Sequence, residues 1–392
     1  MTKLATAEAI FVGPARLEGS WLNERRKNAI EKIRAEGVPN RRAEAWKYSD
    51  LKAALEAAND IEVGRIAWAL SPLPRDCDLF DLENAAEAPE WVRASLGKSA
   101  AEAAIPAASL AFAQSGFAVR IGKNVRVDEP VRMHFQGSGH SRVLVVLEEG
   151  ASVTLVETPS PSSFSNIGFE AVVGRNARLT LTRVAEPAPG AIQVEDVAVR
   201  LARDATFHAH LLNGGASFAR LNLRLTLKEP GATAELSGAS VLGGELHADV
   251  STHVYHASGE THSEQLFKHA VAGRARAVYQ GKITVAEGAN GSDSRQTSKA
   301  ILLSPRAEAD LKPELEILAD DVKCAHGAAI GDLDADSLFY LRARGVDERE
   351  ARNLLIHAFL EDAVQVIAGE GVRNEAQAWL ETLIGRVMVE DR

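Results

Sequence analysis

Cysteine, long apolar runs and net positive charge are all lacking in this sequence. Cys77 and Cys324 are the two cysteines among 392 residues, too few for a disulfide framework, so a reducing compartment is expected. No apolar run approaches the roughly 20 residues that span a bilayer, and no secretory signal pattern precedes the first helix. A formal net charge of −10 offers no basic face for nucleic acid. We expect a cytoplasmic protein that binds no nucleic acid and has no membrane span.

Motifs of the common enzyme classes are missing as well. The chain has no P-loop, no GxGxxG after a predicted strand and no GxSxG elbow, so an NTPase or hydrolase interpretation lacks support. Neither CxxC nor HExxH, the spacings typical of zinc sites, occurs. We therefore expect a protein that is not an enzyme. Its length exceeds one typical core, which predicts two or three structural units.

Residues 1–110 form the first unit, and their richness in Ala, Leu, Arg and Glu predicts helices. Ser20 is placed to begin a helix that Gly37 ends. Residues 44–48, Glu-Ala-Trp-Lys-Tyr, suit either a packed helix with its lysine head in water or an aromatic recognition patch. Later prolines break any long helix. We expect helices that dock onto the rest of the chain, with no catalytic site.

Residues 111–332 contain a repeat in which a turn residue precedes an alternating apolar and polar stretch. The third residue after each turn is apolar, and in the last four units the fifth is as well, with a polar residue between. This period of two predicts strands with one buried face. Asn, Gly and Asp suit the turns because they tolerate positive φ. The turn residues, at steps of 26, 26, 28 and 27, are Asn124, Gly150, Asn176, Asp204 and Gly231.

Strands that recur at a nearly fixed step, with little helical pattern between them, favour a parallel β-helix (solenoid) whose turns stack on one another. A β-sandwich is the competing fold, since it also contains many short strands. The register becomes irregular near Gly259, where His262 and Glu264 fall at the expected buried positions. A solenoid also needs caps at its ends, which the helical ends of this chain can supply.

Residues 333–392 are predicted to form three amphipathic helices. Asp334 and Asp336 are N-cap candidates for the first helix, which Gly345 ends. Asp347 caps the second in a capping-box arrangement, and Asn374 is expected to start the third. Packing back on the solenoid and binding a partner are both consistent with such helices.

Cys324 and His326 are separated by one residue, so on a strand their side chains project from the same face. A thiol and an imidazole are both metal ligands, but one pair supplies two of the roughly four that a stable site needs. A small buried cysteine beside a hydrogen-bonded histidine is the alternative. Any cluster held here would be transient or shared with another chain.

Two other groups of polar residues are candidate sites. Acidic pairs on a solenoid suit carbohydrate cleavage, although an exported enzyme would need a signal that is not seen. The acidic residues near Cys324 are Asp320, Asp321, Asp332, Asp334 and Asp336. Five histidines gathered in one stretch suggest either a metal site or ordinary hydrogen-bonded groups, and His253 and His256 should face opposite sides of one strand. They are His247, His253, His256, His262 and His269.

The segments at the end of the repeat and beyond it resemble the SufB/SufD family of iron–sulfur cluster assembly scaffolds, and its SufD members in particular. The resemblance is most specific over residues 296–364, and it extends to residues 44–48. It is carried by Ala-Ile-Leu-Leu-Ser-Pro at 300–305, Pro-Glu-Leu-Glu-Ile at 313–317, Asp-Asp-Val-Lys-Cys-Ala-His-Gly at 320–327 and Leu-Phe-Tyr-Leu-Arg-Ala-Arg-Gly at 338–345.

The resemblance implies a right-handed parallel β-helix between an N-terminal helical region, residues 1–110, and a C-terminal one, residues 333–392. It implies pairing with a SufB-like paralogue through the β-helix and binding of a SufC-like ABC ATPase through the C-terminal helices. It assigns His326, and less strongly Cys324, to an iron or nascent cluster site completed by a SufB cysteine. We expect the ATPase to contact Leu338, Phe339, Tyr340, Arg342 and Arg344.

One departure from the family pattern is informative. SufB-like chains carry a cysteine several residues before the segment that matches Pro313, whereas residues 305–311 here contain none. The chain should therefore hold no cofactor permanently and share a transient iron or nascent cluster with SufB. Residues 288–296 also match the family pattern less closely.

The sequence thus predicts a scaffold subunit of a SufBCD-type complex that supports iron acquisition and cluster formation. A carbohydrate-active solenoid enzyme, a purely structural solenoid and a homodimer of the isolated chain remain alternatives.

Overall fold

The computed structural model describes residues 6–11, 17–58 and 61–390. A short 3-10 turn that starts at Ser20 leads into the first helix, and Gly37, with a φ of 65°, ends it. The N-terminal part contains two short strands besides its helices. Its elements are α1 (Asn23–Glu36), α2 (Leu51–Ala57), β1 (Ile66–Leu70), β2 (Cys77–Asp81), α3 (Glu90–Ser95) and α4 (Ala104–Phe112).

Fourteen strands come next in the described chain, and they form one continuous sheet wound into a parallel β-helix. They are β3 (Ser115–Ile121), β4 (Val131–Leu147), β5 (Ser152–Val173), β6 (Arg178–Ala185), β7 (Ala188–Leu201), β8 (Thr206–Asn213), β9 (Ala216–Leu227), β10 (Thr233–Leu242), β11 (His247–His256), β12 (His262–Val271), β13 (Arg276–Val285), β14 (Ser292–Leu302), β15 (Glu308–Ile317) and β16 (Val322–Gly331).

The strands stack on two faces of the solenoid. Odd-numbered strands pair from β5 through β7, β9, β11 and β13 to β15, and even-numbered strands pair from β6 to β16. All of these pairs are parallel. This parallel stacking confirms the predicted solenoid and excludes the β-sandwich. Side chains at alternate positions project into a shared interior, where Leu179, Phe207 and Ala234 follow one another in register.

The irregularity in the repeat near Gly259 is explained by the identity of the turn residue. Positive φ angles occur at Asn124, Asn176 and Asp204, as predicted, and then at Glu260 rather than at Gly259. Counting from Glu260 places Ser263 opposite Ala234, so Ser263 faces the interior and His262 faces outward. The repeat counted from Gly259 put His262 and Glu264 at the buried positions because it is offset by one residue from the true turn at Glu260, and a one-residue offset inverts the side of a strand.

The N-terminal part closes the first end of the solenoid. Strand β1 pairs antiparallel with β4, and β2 pairs antiparallel with β3. The prediction of helices alone was incomplete because these short strands gain their hydrogen bonds from residues far along the chain. Helix α4 is buried over most of its length. Glu170 accepts the N–H groups of Gly97 (2.5 Å) and Ser99 (3.0 Å) and pairs with buried Arg142 at 2.9 Å, which fixes the preceding loop.

Three helices end the described chain, namely α5 (Ala335–Ala343), α6 (Glu348–Gln365) and α7 (Glu370–Glu390). Asp334 caps α5 by accepting the N–H of Ser337. Helix α7 starts at Glu370, four residues before the predicted Asn374, because the positive φ at Gly369 completes the turn. Helices α6 and α7 cover the outer face of the even strands through Leu360, Leu380 and their neighbours. No helix within the described ranges is long and apolar enough to cross a membrane.

The second end of the solenoid is open. Within the described part of the chain, strands β15 and β16 are the last strands on their faces, and each has a neighbour on one side alone. Their side chains are mostly half-buried or exposed, in contrast to the closed first end. Large apolar side chains are exposed here, with 40% of Ile317, 59% of Leu318 and 48% of Ile330 accessible. Apolar groups gathered beside free strand edges are typical of a surface that another chain covers.

Candidate functional site

Strand β16 carries both predicted metal ligands at the open end. Its register places Cys324 beside Ser294 and His326 beside Gln296. Because Ser294 and Gln296 point into the solenoid, where they bond to Ser263 and Tyr279, Cys324 and His326 share the inward side of the last strand. The prediction that the two side chains lie on one face of a strand is confirmed. His326 is exposed and Cys324 is half-buried.

The backbone of these same residues forms the free edge of β16. The N–H of Asp293 donates to Thr261, just before β12, and the N–H of Leu303, just after β14, donates to Val271 in β12. Odd-numbered residues of β14 therefore bond to β12 and even-numbered ones to β16. In β16 the odd-numbered residues consequently bond back to β14. The even-numbered residues, which include Cys324 and His326, direct their N–H and C=O groups outward. A strand added at this edge would therefore hydrogen-bond to the backbone of both site residues.

The free edge of β15 differs from that of β16. The N–H groups of Glu308 and Leu318 donate to Ala275 and Val285, so even-numbered residues of β15 face β13 and odd-numbered ones face outward. Pro313 occupies an outward position at the middle of the strand and has no N–H to donate. Continuous strand addition is interrupted at β15, whereas every outward position of β16 retains its donor.

Cys324 lies in a small apolar environment. Its side chain packs beside Ile283, Val285 and Ala289. Burial raises the pKa of the Cys324 thiol, the Asp293 carboxylate raises it further, and a hydrogen bond from the Ser294 backbone opposes the shift. The thiol therefore keeps its proton near neutral pH and becomes a thiolate when a metal replaces that proton.

Polar side chains continue inward from Cys324. Ser294 Oγ lies 2.6 Å from Ser263 Oγ, and Ser263 Oγ lies 3.0 Å from His256 Nε2. His256 Nδ1 lies 2.8 Å from Thr261 Oγ1. All of these side chains are buried, and burial lowers the pKa of His256 to about 4. His256 is therefore neutral at physiological pH and links the hydroxyl groups through both ring nitrogens.

A second polar column continues inward from His326. Gln296 Nε2 donates to the Tyr279 hydroxyl at 2.9 Å, and that hydroxyl donates to Gln265 Oε1 at 3.1 Å. Thr252 Oγ1 donates to the same Gln265 oxygen at 2.7 Å. The interior next to the open end is thus polar over two turns, whereas the interior of earlier turns is mostly apolar, apart from the buried charged side chains of Glu157, Arg183 and Glu195. Sequence reasoning missed both columns because the one-residue error in register hid the polar interior positions.

The thiol and the imidazole at the open end are both metal-ligand types, but two such groups do not complete a site. Thiolate and imidazole are the ligands that iron–sulfur clusters take from proteins. Within residues 6–11, 17–58 and 61–390, no group of three or more Cys, His, Asp and Glu side chains gathers as a metal site. As a metal site, Cys324 and His326 would supply two ligands, and a set of about four would need further ligands from another molecule.

The histidines of residues 247–269 do not converge. His253 bonds outward to Thr284 and His256 bonds inward, so they face opposite sides of β11, as predicted. His247 stacks on Phe218 with ring centroids 4.9 Å apart, and His269 is buried inside the solenoid. The ordinary structural interpretation of this stretch is thus favoured over a metal site.

Helix α5 presents the residues expected to contact the ATPase. Phe339 is 74% exposed and Tyr340 is 58% exposed, while Leu338 is half-buried. Arg342 pairs with Glu348 at 3.2 Å, and Arg344 lies over the Tyr340 ring, 5.2 Å from its centroid. None of the residues of α5 is buried, so its aromatic and basic side chains are free to meet another protein.

Two family profiles match the chain. The profile described as SUF system FeS cluster assembly, SufBD core domain, matches residues 132–359, and the SufBD protein N-terminal region matches residues 16–87. The iron-sulfur cluster assembly protein SufD of Escherichia coli (strain K12) is 28% identical, with 92% of this chain and 93% of the relative aligned. A SufBD family protein of Synechocystis is 27% identical over 89% of this chain and 88% of its own length. The SufD protein of Bacillus subtilis is 28% identical, with 69% and 64% covered.

Proposed function

The chain belongs to the SufBD family of iron–sulfur cluster assembly proteins, and we propose that it is the SufD-like scaffold subunit of a SufBCD-type complex. In this role it acts in the cytoplasm, catalyses no reaction by itself and supports iron acquisition and cluster formation beside a SufB-like paralogue. The observation that carries the proposal is the open end of the solenoid, where a thiol and an imidazole lie side by side on a free strand edge.

His326 is the principal ligand in this proposal, and Cys324 is the secondary one. The exposed imidazole can meet iron or a nascent cluster that a neighbouring chain presents, while the half-buried, protonated thiol must first lose its proton. The cargo is transient because two ligands do not hold a cluster against competition. A cysteine of the SufB-like subunit would complete the set.

The SufB-like subunit would cover the open end, where strand addition at β16 brings it beside Cys324 and His326. The exposed side chains of Ile317, Leu318 and Ile330 would be buried in the same contact. A SufC-like ABC ATPase would bind the exposed face of α5. The two contacts use different parts of the chain, so one subunit can hold both partners at once.

The proposal is tested by reconstituting the complex of this chain with SufB-like and SufC-like subunits. His326→Ala should lower the bound iron and acid-labile sulfide by about tenfold, because the imidazole is the exposed ligand. His134→Ala, which removes another exposed histidine far from β16, is the matched control and should leave the yield unchanged. Equal cluster yields from wild type and His326→Ala, with the complex intact on gel filtration, would sink the proposal.

A further inference from the structure

A cavity of about 270 Å³ lies on the outer face of the odd-numbered strands, beneath residues 44–49. Strands β9, β11 and β13 form its floor, and Ala45, Trp46 and Ala103 form apolar walls. Its volume suits a small organic molecule. The side chains of Cys324 and His326 face the interior from the opposite sheet, so the cavity is separate from the cluster site.

The wall of the cavity is held in place before any ligand arrives. Trp46 is buried, and the Arg220 guanidinium lies 4.0 Å from the centroid of its ring. Ser49 Oγ donates to buried Asp249 at 2.5 Å, and Lys312 Nζ pairs with Glu44 at 2.6 Å. These contacts fix both ends of the segment against strands that are far away in the sequence. A preformed wall lowers the ordering cost of binding.

Cationic side chains dominate the floor. The lining contains three permanent cations, Arg220, Arg224 and Lys282, against the two carboxylates of Asp196 and Glu314. Arg220 already pairs with Asp249, 2.8 Å away, and lies over the Trp46 ring. The buried Asp196 carboxylate binds Arg224 through its Nε (3.0 Å) and Nη2 (2.6 Å), which leaves Arg224 Nη1 able to meet a ligand. Lys282 is the second cation that can do so.

The carboxylates that cover Arg224 Nη1 and Lys282 are solvent-exposed. Glu102 contacts Arg224 with 60% of its side chain accessible. Glu316 lies 2.6 Å from Lys282 with 48% of its side chain accessible. Exposed ion pairs contribute little free energy, so a ligand oxyanion can replace either carboxylate at small cost.

His253 lies on the same floor, opposite Lys282 on one neighbouring strand and Arg224 on the other. Burial lowers the pKa of its imidazole, the positive charges of Lys282 and Arg224 lower it further, and the Glu316 carboxylate opposes the shift. Its Nε2 lies 3.1 Å from Thr284 Oγ1. A ligand anion would offset the positive charge that His253 experiences.

We propose that this cavity binds a small organic oxyanion, a carboxylate or phosphate joined to an apolar body. The oxyanion lies between Arg224 and Lys282 and displaces Glu102 and Glu316 from them. The apolar body packs against Ala45, Trp46 and Ala103. Residues 44–48 thereby provide the wall of a binding site. The segment is then both packed structure and a recognition surface, the two roles that its sequence suggests.

Isothermal titration of the full chain with phenyl phosphate and with benzoate tests this site, with inorganic phosphate as the probe that has no apolar body. At least one organic probe should bind at least tenfold more tightly than inorganic phosphate, and the pair distinguishes a phosphate ligand from a carboxylate. Lys282→Gln should weaken binding about tenfold, since it removes a direct charge contact. Glu102→Gln should strengthen it several-fold, since it removes a competing carboxylate.

Lys228→Gln, which alters an exposed lysine elsewhere, is the control and should bind like wild type. Lys282 is 42% exposed, so its replacement should leave the fold unchanged, as circular dichroism would verify. The His253 imidazole resonances should shift when the organic probe binds. The proposal is overturned if neither organic probe binds at about 10 mM, or if Lys282→Gln and Glu102→Gln both leave the affinity unchanged.

Discussion

A small group of charged side chains lies inside the solenoid, and it contains one more carboxyl group than it has cations. Arg183 pairs with Glu195 at 2.6 Å, and both side chains are almost completely buried. Glu157 is 0% exposed beside this pair. One guanidinium thus serves two carboxyl groups, so the second carboxyl holds a proton. Burial and the Glu195 carboxylate raise the pKa of Glu157 well above its ordinary value of 4.5.

This arrangement predicts how stability depends on pH. The folded chain keeps the Glu157 proton to a higher pH than the unfolded chain, so the contribution to stability is complete in acid. This stabilisation decreases as the pH rises above about 4.5 toward the pKa of Glu157 in the folded chain. The free energy of unfolding falls by about 1.4 kcal/mol for each pH unit. Glu157→Gln cannot ionise, so its urea midpoint should match wild type near pH 5 and exceed it at pH 8. Exposed Glu129→Gln should change neither, and a midpoint difference that is the same at both pH values would contradict the prediction.

At this same scale, the sequence predicts the pairing of Cys324 with His326 because strand alternation is a local property. It does not predict that His326 is exposed while Cys324 packs beside Ile283. Exposure depends on β16 being the last strand of the solenoid, and β16 is last because residues 335–390 fold into helices instead of adding another turn. The sequence likewise does not predict the polar interior next to the open end, because assigning the inward-facing residues there requires knowing that the turn lies at Glu260.

At the scale of the elements, most turn conformations follow from the type of residue, but one does not. Asn124, Asn176 and Asp204 adopt positive φ as their residue types predict, but Glu260 does so although glutamate rarely occupies this region. Stacking of the neighbouring turns imposes that conformation: Gly231 N–H donates to the Glu260 carbonyl, and Glu260 N–H donates to Asn290. Strands β1 and β2 were likewise unpredictable, because five residues each carry little pattern without their partners.

Helix α5 allows a prediction about ATPase binding. The combined change Phe339→Ala and Arg342→Glu should abolish co-purification with the SufC-like ATPase, because it removes an exposed aromatic anchor and reverses a charge. Aromatic and arginine anchors typically contribute about 2 kcal/mol or more each at interfaces. Both side chains are exposed, so the fold should be retained. Arg349→Glu, on the exposed start of α6, is the matched control and should still co-purify. Undiminished recovery of the ATPase with the double variant would exclude α5 as its docking element.

At the scale of the whole molecule, the two ends of the solenoid are unequal. The first end is closed by β1, β2 and the N-terminal helices, whereas β15 and β16 leave the second end open. The repeat in the sequence predicts the stack of strands but not which end stays uncovered, because that depends on where the helices pack. Helices α6 and α7 lie along the side of the stack, on the even-numbered strands. Association with another chain at the open end would cover the exposed Ile317, Leu318 and Ile330 together with the free edge of β16.

Self-association of the isolated chain should therefore occur through the edge of β16. Ala328→Pro removes an outward N–H at this edge and leaves the bonds to β14 in place, so it should weaken association at least tenfold without lowering the melting temperature. Ala329→Pro is the matched control: its N–H faces β14, so the change breaks an internal bond and should destabilise the chain by about 3 kcal/mol. Sedimentation velocity over a concentration series, together with thermal unfolding, measures both effects. A wild-type chain that stays monomeric, or an Ala328→Pro variant that associates like wild type, would show that β16 is not the contact, because Pro313 already interrupts the other free edge.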